Sequence, residues 1–215
     1  MIKNYLRKSI IYAFGLLVMA FGVTLSINSD LGVSPINSLP YIVSFITQID
    51  LGTCVTIVFS VFVFIQIIIL RRDFALINLT QLIFSALFGY FVDFAKWIVG
   101  DFSIPTYPGK LAMLLVSIVI MATGACFYMG AGLIYMPMEG LTYVLSERLF
   151  NNKPFHDMKV ITDCAIVVTS VVLSLVFLGR LEGVREGTII CALLIGRSMK
   201  FLQKLIGPSI EKILS

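Results

Sequence analysis

The chain has 215 residues, of which 59% are hydrophobic and 13% are charged, and its formal net charge is +4. A soluble domain carries about 25% charged residues, so this composition excludes a water-soluble globular protein. The basic residues lie in short connecting segments rather than in one long run, which gives no indication of nucleic-acid binding.

Long apolar blocks dominate the chain. A helix needs roughly 20 apolar residues to cross the hydrocarbon core of a bilayer, whereas a transmembrane barrel shows segments of about 10 residues with alternating polarity. The continuous blocks therefore predict an all-α, multi-pass membrane protein surrounded by the lipid bilayer. The blocks that lack Asp, Glu, Lys and Arg cover residues 9–29, 31–49, 51–70, 74–92 and 111–138.

Charged residues and Gly or Pro breaks divide the chain into six predicted transmembrane helices. The first follows Lys3, Arg7 and Lys8, as the apolar part of a signal peptide would. It lacks a clear cleavage site of small residues, so we expect it to remain as a span. In chain order the six predicted spans cover residues 9–28, 51–70, 75–97, 109–131, 159–179 and 187–206.

Two further apolar segments, at 35–48 and 137–150, are too short to cross comfortably, and each begins with a proline. Proline is favoured at the first position of a helix, and a preceding glycine supplies backbone freedom. We therefore expect two short helices that enter the membrane part way or lie at its surface. The predicted helix breaks are Gly32, Pro35, Gly132 and Pro137.

The two halves of the chain resemble each other. At an offset of 102 residues, 19–44 aligns with 121–146 with eight identities in 26 ungapped positions. A second match needs an offset of 107, so a short insertion separates the two matches, and the polar loop at 151–159 offers a place for it. We predict one membrane domain of two repeats, residues 1–100 and 101–215, each with three spans and one short helix. The second match pairs Ile83 with Ile190, Leu87 with Leu194 and Gly89 with Gly196.

The two repeats are predicted to be inverted. Each has three spans, an odd number, so the second repeat enters the membrane from the opposite side. With a cytoplasmic N-terminus, eleven Lys and Arg residues fall on the cytoplasmic side and four on the outer side, which obeys the positive-inside rule. This predicts a bacterial plasma-membrane protein whose N- and C-termini are both cytoplasmic. The cytoplasmic residues are Lys3, Arg7, Lys8, Arg71, Arg72, Arg148, Lys153, Lys159, Lys200, Lys204 and Lys212, and the outer ones are Lys96, Lys110, Arg180 and Arg185.

Small and uncharged polar residues within the spans predict contacts between helices. Four uncharged polar residues in or near the spans are expected to form hydrogen bonds between helices: Gln66, Asn78, Thr80 and Gln81. Glycines at several positions are expected to allow close helix packing, because they lack a side chain. These glycines are Gly15, Gly22, Gly89, Gly124 and Gly196.

The starts of the two short helices form the candidate binding site. A helix start carries free N–H groups and a partial positive charge, which favours an anionic group. Ser34 precedes the first short helix as a candidate N-cap, and Asn37 and Glu139 occupy equivalent positions in the first turns of the two helices. The alternative is that Asn37 and Glu139 cap their own helices or are solvated at the membrane surface.

Arg197 is unusual because it lies near the middle of the last predicted span. A lone guanidinium there costs about 2.5 kcal/mol or more, so it needs an anionic ligand, an aqueous cavity or an acidic partner such as Glu139 or Asp163. The alternative is a span that ends near Gly196, which would put Arg197 at the cytoplasmic edge beside Lys200.

The sequence contains no motif that assembles a nucleophile, a phosphate loop or a metal-bound water. The cysteines lie in apolar blocks without a CxxC spacing, and His156 is the only histidine. We therefore predict no disulfide framework, no metal site, no cofactor and no enzymatic activity. The cysteines are Cys54, Cys126, Cys164 and Cys191.

Four short stretches carry a resemblance to a known family. They are LGVSP at 31–35, RRD at 71–73, YFVDF at 90–94 and MPMEGL at 136–141. With their surroundings, they resemble the YczE/YitT-like bacterial integral membrane proteins over most of the chain. The resemblance implies a multi-pass plasma-membrane protein, but no activity and no site residues.

Inverted repeats with interrupted helices are typical of secondary transporters, in which the substrate binds near the midplane between the halves. The sequence therefore predicts a transporter of a small anionic or zwitterionic solute. Ser34, Asn37 and Glu139 would bind the solute, and Arg197 would supply the counter-charge. The alternative is a non-transporting scaffold or regulatory component that acts through a protein partner or as a homo-oligomer.

Overall fold

The structure, a computed structural model, describes residues 2–150 and 154–214. Every regular element in these two ranges is helical, which confirms the predicted all-α class. Residues 151–153, which belong to the predicted insertion loop and include Lys153, lie outside the described residues. The α-helices of the described ranges are α1 (Ile2–Asn28), α2 (Pro35–Thr47), α3 (Leu51–Leu70), α4 (Thr80–Val99), α5 (Tyr107–Gly130), α6 (Pro137–Arg148), α7 (Phe155–Leu173) and α8 (Glu186–Leu214).

Five helical segments of the described chain are long and apolar enough to cross a membrane. The last helix, α8, is also long enough, with 29 residues, but Arg197, Lys200 and Lys204 interrupt its apolar stretch. The sixth span therefore stays a prediction. The five segments are Tyr5–Asn28, Leu51–Asp73, Leu76–Val99, Tyr107–Gly130 and Asp157–Leu178.

The two short helices begin where the prolines predict. Pro35 and Pro137 lie in the first turns of α2 and α6. Gly32 has φ +109° and Gly132 has φ +58°, in the region that side chains disfavour. The chain therefore bends sharply before each short helix, as the Gly and Pro spacing predicts.

Several helix ends differ from the prediction. α4 begins at Thr80 instead of residue 75, because Arg71–Asp73 and Leu76–Leu79 form short 3₁₀ turns. α7 ends in a single π-helical segment, Ser174–Leu178. α8 continues to Leu214 with Pro208 inside it, although a proline commonly ends a helix.

α1 and α5 form the centre of the bundle and cross closely at glycines. An added Cβ at Gly15 would lie 2.7 Å from the Gly124 carbonyl oxygen, and one at Gly22 would lie 2.8 Å from the Met121 backbone nitrogen. Both distances are too short for carbon, so only glycine permits this approach. The predicted close packing is confirmed at Gly15, Gly22 and Gly124.

The remaining helices pack in pairs that correspond between the two halves. α4 packs on α1, and α8 packs on α5. α6 packs on α3, and α2 packs on α7. Each short helix therefore lies against the second long helix of the other half.

One pairing differs between the halves. α3 and α4 form a tight seam, in which an added Cβ at Gly89 would overlap the Gly52 carbonyl oxygen. Within the described residues, α7 and α8 form no comparable seam. An added Cβ at Gly196 would meet no atom within 4 Å, so the prediction of close packing at Gly196 is wrong, because α8 does not approach α7 there.

Candidate functional site

A cavity of about 320 Å³ lies at the starts of α2 and α6, where it is bounded by α1, α5, α7 and α8. Its wall is largely apolar, and a volume of this size fits a small organic molecule. The wall also carries the polar or charged side chains of Ser34, Asn37, Tyr128, Glu139, Lys159 and Asp163.

The start of α2 directs Asn37 into this cavity. Its Nδ2 donates a hydrogen bond to Ser34 Oγ at 2.8 Å, and Ser34 makes no side-chain cap of the helix. Only 4% of Asn37 is exposed, yet its Oδ1 has no hydrogen-bond partner. A buried oxygen without a donor is unfavourable, so Oδ1 offers an acceptor for a ligand.

The start of α6 brings Glu139 to the same cavity. Its carboxyl group lies in the first turn of α6, near its own backbone N–H and near the Tyr128 hydroxyl. Its Oε2 is nevertheless shielded from solvent and has no hydrogen-bond partner. Asn37 and Glu139, which the sequence predicts as opposed polar groups, therefore both line one cavity.

Partnerless buried polar atoms are concentrated around this cavity. Tyr12 lies beside the cavity residue Tyr128, with their ring centroids 5.6 Å apart. The Tyr12 hydroxyl is buried without a partner. In the part of the chain that the structure describes, the buried side-chain N and O atoms without a partner belong to Tyr12, Asn37 and Glu139. Such atoms are few in native proteins and need an explanation, and a bound ligand supplies one for the two that line the cavity.

A charged pair on α7 completes the wall. Lys159 Nζ lies 2.8 Å from Asp163 Oδ1, and the two side chains are 27% and 22% exposed. Sequence reasoning considers Asp163 only as a partner for Arg197 and gives Lys159 no role at the site. The four-residue spacing of Lys159 and Asp163 is a signal for such a pair on one helix face. No three or more metal-ligating side chains gather within the described ranges.

Arg197 does not join the other predicted site residues. Its neighbours Gly196 and Met199 line the cavity, whereas Arg197 is exposed. Successive helical residues are about 100° apart around the axis, so Arg197 points away from the wall that Gly196 and Met199 form. Among the described residues, no ion pair joins Arg197 to Glu139, and Lys159 is the cation at the cavity.

Polar contacts between the two halves hold the start of α6. Gln66 Nε2 on α3 donates to the Pro137 carbonyl oxygen at 2.9 Å and to Gln81 Oε1 on α4 at 3.2 Å. Thr80 Oγ1 donates instead to the Ile77 carbonyl oxygen in the preceding turn, at 2.6 Å, so the prediction is wrong for Thr80. The predicted hydrogen bonding of Gln66 and Gln81 between helices is confirmed. It fixes Pro137, and with it the first turn that carries Glu139.

Corresponding contacts hold the start of α2. The Val33 N–H donates to the Gly183 carbonyl oxygen at 2.9 Å. The Ser38 and Ser170 hydroxyls lie 2.9 Å apart across α2 and α7. Both short helices are thus anchored to the opposite half of the molecule near their first turns.

A larger surface cavity of about 730 Å³ is a weaker candidate. Its polar lining includes Asp50, Asp93 and Lys96. Asp93 Oδ1 accepts a hydrogen bond from the Gly52 N–H at 2.7 Å, so this carboxylate stabilises the start of α3. We therefore assign Asp93 a structural role.

Known proteins agree with the membrane assignment. The chain matches the family described as "Family of unknown function (DUF6198)" over residues 6–204. It is 28% identical over 138 residues to the uncharacterized membrane protein YczE of Bacillus subtilis (strain 168), a match that covers 64% of this chain and 62% of that relative, less than two thirds of its length. No solved structure matches the chain. These matches confirm the resemblance that the sequence motifs indicate, and this integral membrane protein belongs to the DUF6198 family.

Proposed function

We propose that the protein is a secondary transporter that binds a small solute in the cavity at the starts of α2 and α6. The observation that carries the proposal is the presence of two partnerless buried oxygens, Asn37 Oδ1 and Glu139 Oε2, in one largely apolar cavity. A scaffold protein has no need for unsatisfied acceptors in its interior, because they cost stability. The proposal involves no catalysed reaction and no cofactor.

The proposed architecture is a pair of inverted repeats, residues 1–100 and 101–215, in which α8 is the sixth span. The helix pairing supports it. Exchanging α1 with α5, α2 with α6, α3 with α7 and α4 with α8 converts each of the pairings described above into another one or, for α1–α5, into itself, with α3–α4 as the exception. Secondary transporters built this way bind substrate between their repeats. The positions of Asn37 and Glu139 in the present structure agree with that arrangement.

We also propose a bacterial plasma-membrane location with cytoplasmic termini. Ion pairs support the predicted grouping of loops. Asp30 contacts both Lys110 and Arg185, two residues that the charge pattern assigns to the outer side. Asp73 contacts Arg148, and the charge pattern assigns Arg148 and the turn before Asp73 to the cytoplasmic side.

Alternating access would arise from the difference between the two halves. The α3–α4 seam is closed, whereas the α7–α8 gap is open to the cavity. At the offset of 107, four of the five α8 residues that line the cavity correspond to residues of α4 that are buried. The four pairs are Ala192 with Ser85, Ile195 with Phe88, Gly196 with Gly89, and Met199 with Val92. We propose that the second conformation closes α7 against α8 and opens α3 from α4.

A binding screen followed by an uptake assay tests the proposed function. Thermal unfolding of the purified protein in nanodiscs is measured with a panel of small amines, carboxylates and amino acids. We expect at least one compound to raise the melting temperature, to lose that effect in Glu139→Ala, and to enter proteoliposomes that contain the protein. Arg197→Ala is the control, since Arg197 lies outside the cavity. A stabilising compound whose effect survives in Glu139→Ala, or a panel without any stabilising compound, would contradict this site.

A further inference from the structure

The charges around the cavity do not balance. Three ionisable side chains, Glu139, Lys159 and Asp163, carry formal charges at its wall. Lys159 and Asp163 form an ion pair with each other at 2.8 Å, so they largely cancel. Within the described residues, no ion pair involves Glu139. An ionised Glu139 therefore leaves the cavity with one uncompensated negative charge.

The unsatisfied hydrogen-bonding groups of the wall are acceptors. Asn37 Nδ2 is engaged by Ser34, which leaves Asn37 Oδ1 without a donor. The carboxylate oxygen Glu139 Oε2 also lacks a donor. A ligand that supplies N–H groups would satisfy both oxygens, whereas a carboxylate would satisfy neither and would be repelled by Glu139.

The rest of the wall suits an apolar chain. Four methionine side chains line it, and they adapt to ligands of different shape because they are unbranched and polarizable. Apolar residues of α2 and α8 extend the same surface. The methionines that line the cavity are Met19, Met121, Met129 and Met199.

We infer that the ligand is a small amphiphilic monocation, a protonated primary or secondary amine with an unbranched or compact apolar body. Its ammonium N–H groups would donate to Asn37 Oδ1 and Glu139 Oε2, and its charge would offset that of Glu139. Its apolar body would lie along the methionines. The inference rests on the proposed function and narrows its substrate class. It departs from the anionic or zwitterionic solute that the sequence predicts, because that expectation depends on Arg197 as counter-charge, and Arg197 lies outside the cavity.

Four probes of equal chain length isolate the head group. They are n-hexylammonium, hexanoate, 6-aminohexanoate and 1-hexanol, each added to the intact protein in nanodiscs. We expect saturating hexylammonium to raise the melting temperature by about 3 °C or more, and the other three to change it by less than about 1 °C. Hexanoate or hexanol stabilising the protein as well as hexylammonium does would overturn the amine assignment.

Isosteric variants of the two cavity residues Glu139 and Asn37 test whether hexylammonium binds in the cavity. Glu139→Gln removes the charge and should weaken hexylammonium binding about tenfold or more. Glu147→Gln, on the exposed face of the same helix, is the matched control and should bind hexylammonium as the wild type does. Asn37→Asp adds a second carboxylate without changing shape and should strengthen binding, so it keeps the test decisive if Glu139→Gln fails to fold. Equal affinity in Glu139→Gln or weaker affinity in Asn37→Asp would refute the inference.

The location of the binding site and the class of its substrate can be refuted separately. If a carboxylate or neutral compound binds and the Glu139 variants abolish its binding, the amine class is wrong and the cavity remains the solute site. If hexylammonium stabilises the wild type, Glu139→Gln and Asn37→Asp alike, it binds outside the cavity, and the assigned site is wrong. The head-group series therefore tests the substrate class separately from the location of the site.

Discussion

Replacing Gly196 with alanine tests whether the two halves exchange conformations. Gly196 corresponds to Gly89 at the offset of 107. Gly89 is buried in the α3–α4 seam, where an added Cβ would overlap the Gly52 carbonyl oxygen. Gly196 is exposed, and its added Cβ would meet nothing within 4 Å. A methyl group at Gly196 is therefore tolerated in the present conformation. It would obstruct the proposed second conformation, in which α7 closes against α8.

The expected magnitude follows from these two environments. In the present conformation alanine adds helix propensity, up to about 1 kcal/mol over glycine, so the melting temperature should stay the same or rise. In the second conformation, called here the exchanged conformation, α7 packs against α8. The methyl group at Gly196 would then overlap the α7 backbone, just as a methyl group at Gly89 overlaps the α3 backbone in the present conformation. Such overpacking costs roughly 1–3 kcal/mol, which corresponds to a population of the exchanged state about 5- to 150-fold smaller.

A cysteine in the closed seam reports this population. Ser85 is completely buried and lies one turn before Gly89 on α4, and it corresponds to Ala192 at the cavity wall. Ser85→Cys in a protein whose four native cysteines are alanine should react with a water-soluble maleimide only when α3 and α4 separate. We expect Gly196→Ala to slow this labelling about 5- to 150-fold.

The control substitution, at Gly207, lies on α8, the helix that carries Gly196. An added Cβ at Gly207 would meet only the flexible Gln203 side chain, at 3.8 Å, so Gly207→Ala adds the same methyl group to α8 away from α7 and should leave the labelling rate unchanged. Because Pro208 follows Gly207, this alanine gains less helix propensity than the one at Gly196. A labelling rate unaffected by Gly196→Ala would refute the exchange, as would an equal slowing by Gly207→Ala. A lower melting temperature in Gly196→Ala would show that Gly196 has a packing role in the present conformation.

Three further predictions concern stability. Gly89→Ala should lower the free energy of unfolding by roughly 1–3 kcal/mol, because its methyl group overlaps the α3 backbone; an unchanged midpoint in thermal unfolding would contradict the tight seam. Gln81→Leu should cost about 1–3 kcal/mol by leaving the Gln66 carbonyl oxygen unsatisfied, and the double replacement Gln66→Leu/Gln81→Leu should cost less than the sum of the two single changes in a double-mutant cycle. The hydrogen bond from Lys110 lowers the pKa of Asp30 in the folded protein. The ionised Asp30 therefore stabilises the fold fully above its unfolded pKa of about 3.9, and this stabilisation is lost as the pH falls through the lower folded pKa. In Asp30→Asn, the free energy of unfolding should therefore fall less between neutral and acidic pH than it does in the wild type. Acid unfolding curves that superimpose on those of the wild type would contradict this prediction.

Much of the fold follows from local sequence signals. Charge-free blocks and proline positions predict the start of α3 at Leu51 and the starts of α2 and α6 at Pro35 and Pro137, all as observed. These signals depend only on neighbouring residues and on the polarity of the surroundings. The 3₁₀ turns that delay α4 to Thr80 depend on how the loop packs, and no local pattern marks them.

The candidate site is predictable to the extent that it depends on the repeat. Asn37 and Glu139 occupy equivalent positions, so a duplication with a shared centre brings them together without knowledge of side-chain packing. The prediction that Arg197 supplies the counter-charge depends only on its depth along a span. Depth follows from the linear sequence, but the direction in which a helical residue points depends on how the helix packs, and neighbouring residues point about 100° apart.

The same distinction explains why Lys159 and the open gap could not be predicted. The identities of the second match lie in α4 and α8, and none of them lies in α7, so the internal resemblance does not say which face of α7 turns inward. Under the proposed function, the two halves also adopt unequal conformations, because an inverted pair that moves a solute must be open on one side and closed on the other. Gly89 and Gly196 illustrate this, since the two aligned glycines lie in a closed seam and an open cavity respectively. If the proposed exchange takes place, the sequence encodes both conformations of each half and therefore carries no signal for which half is open.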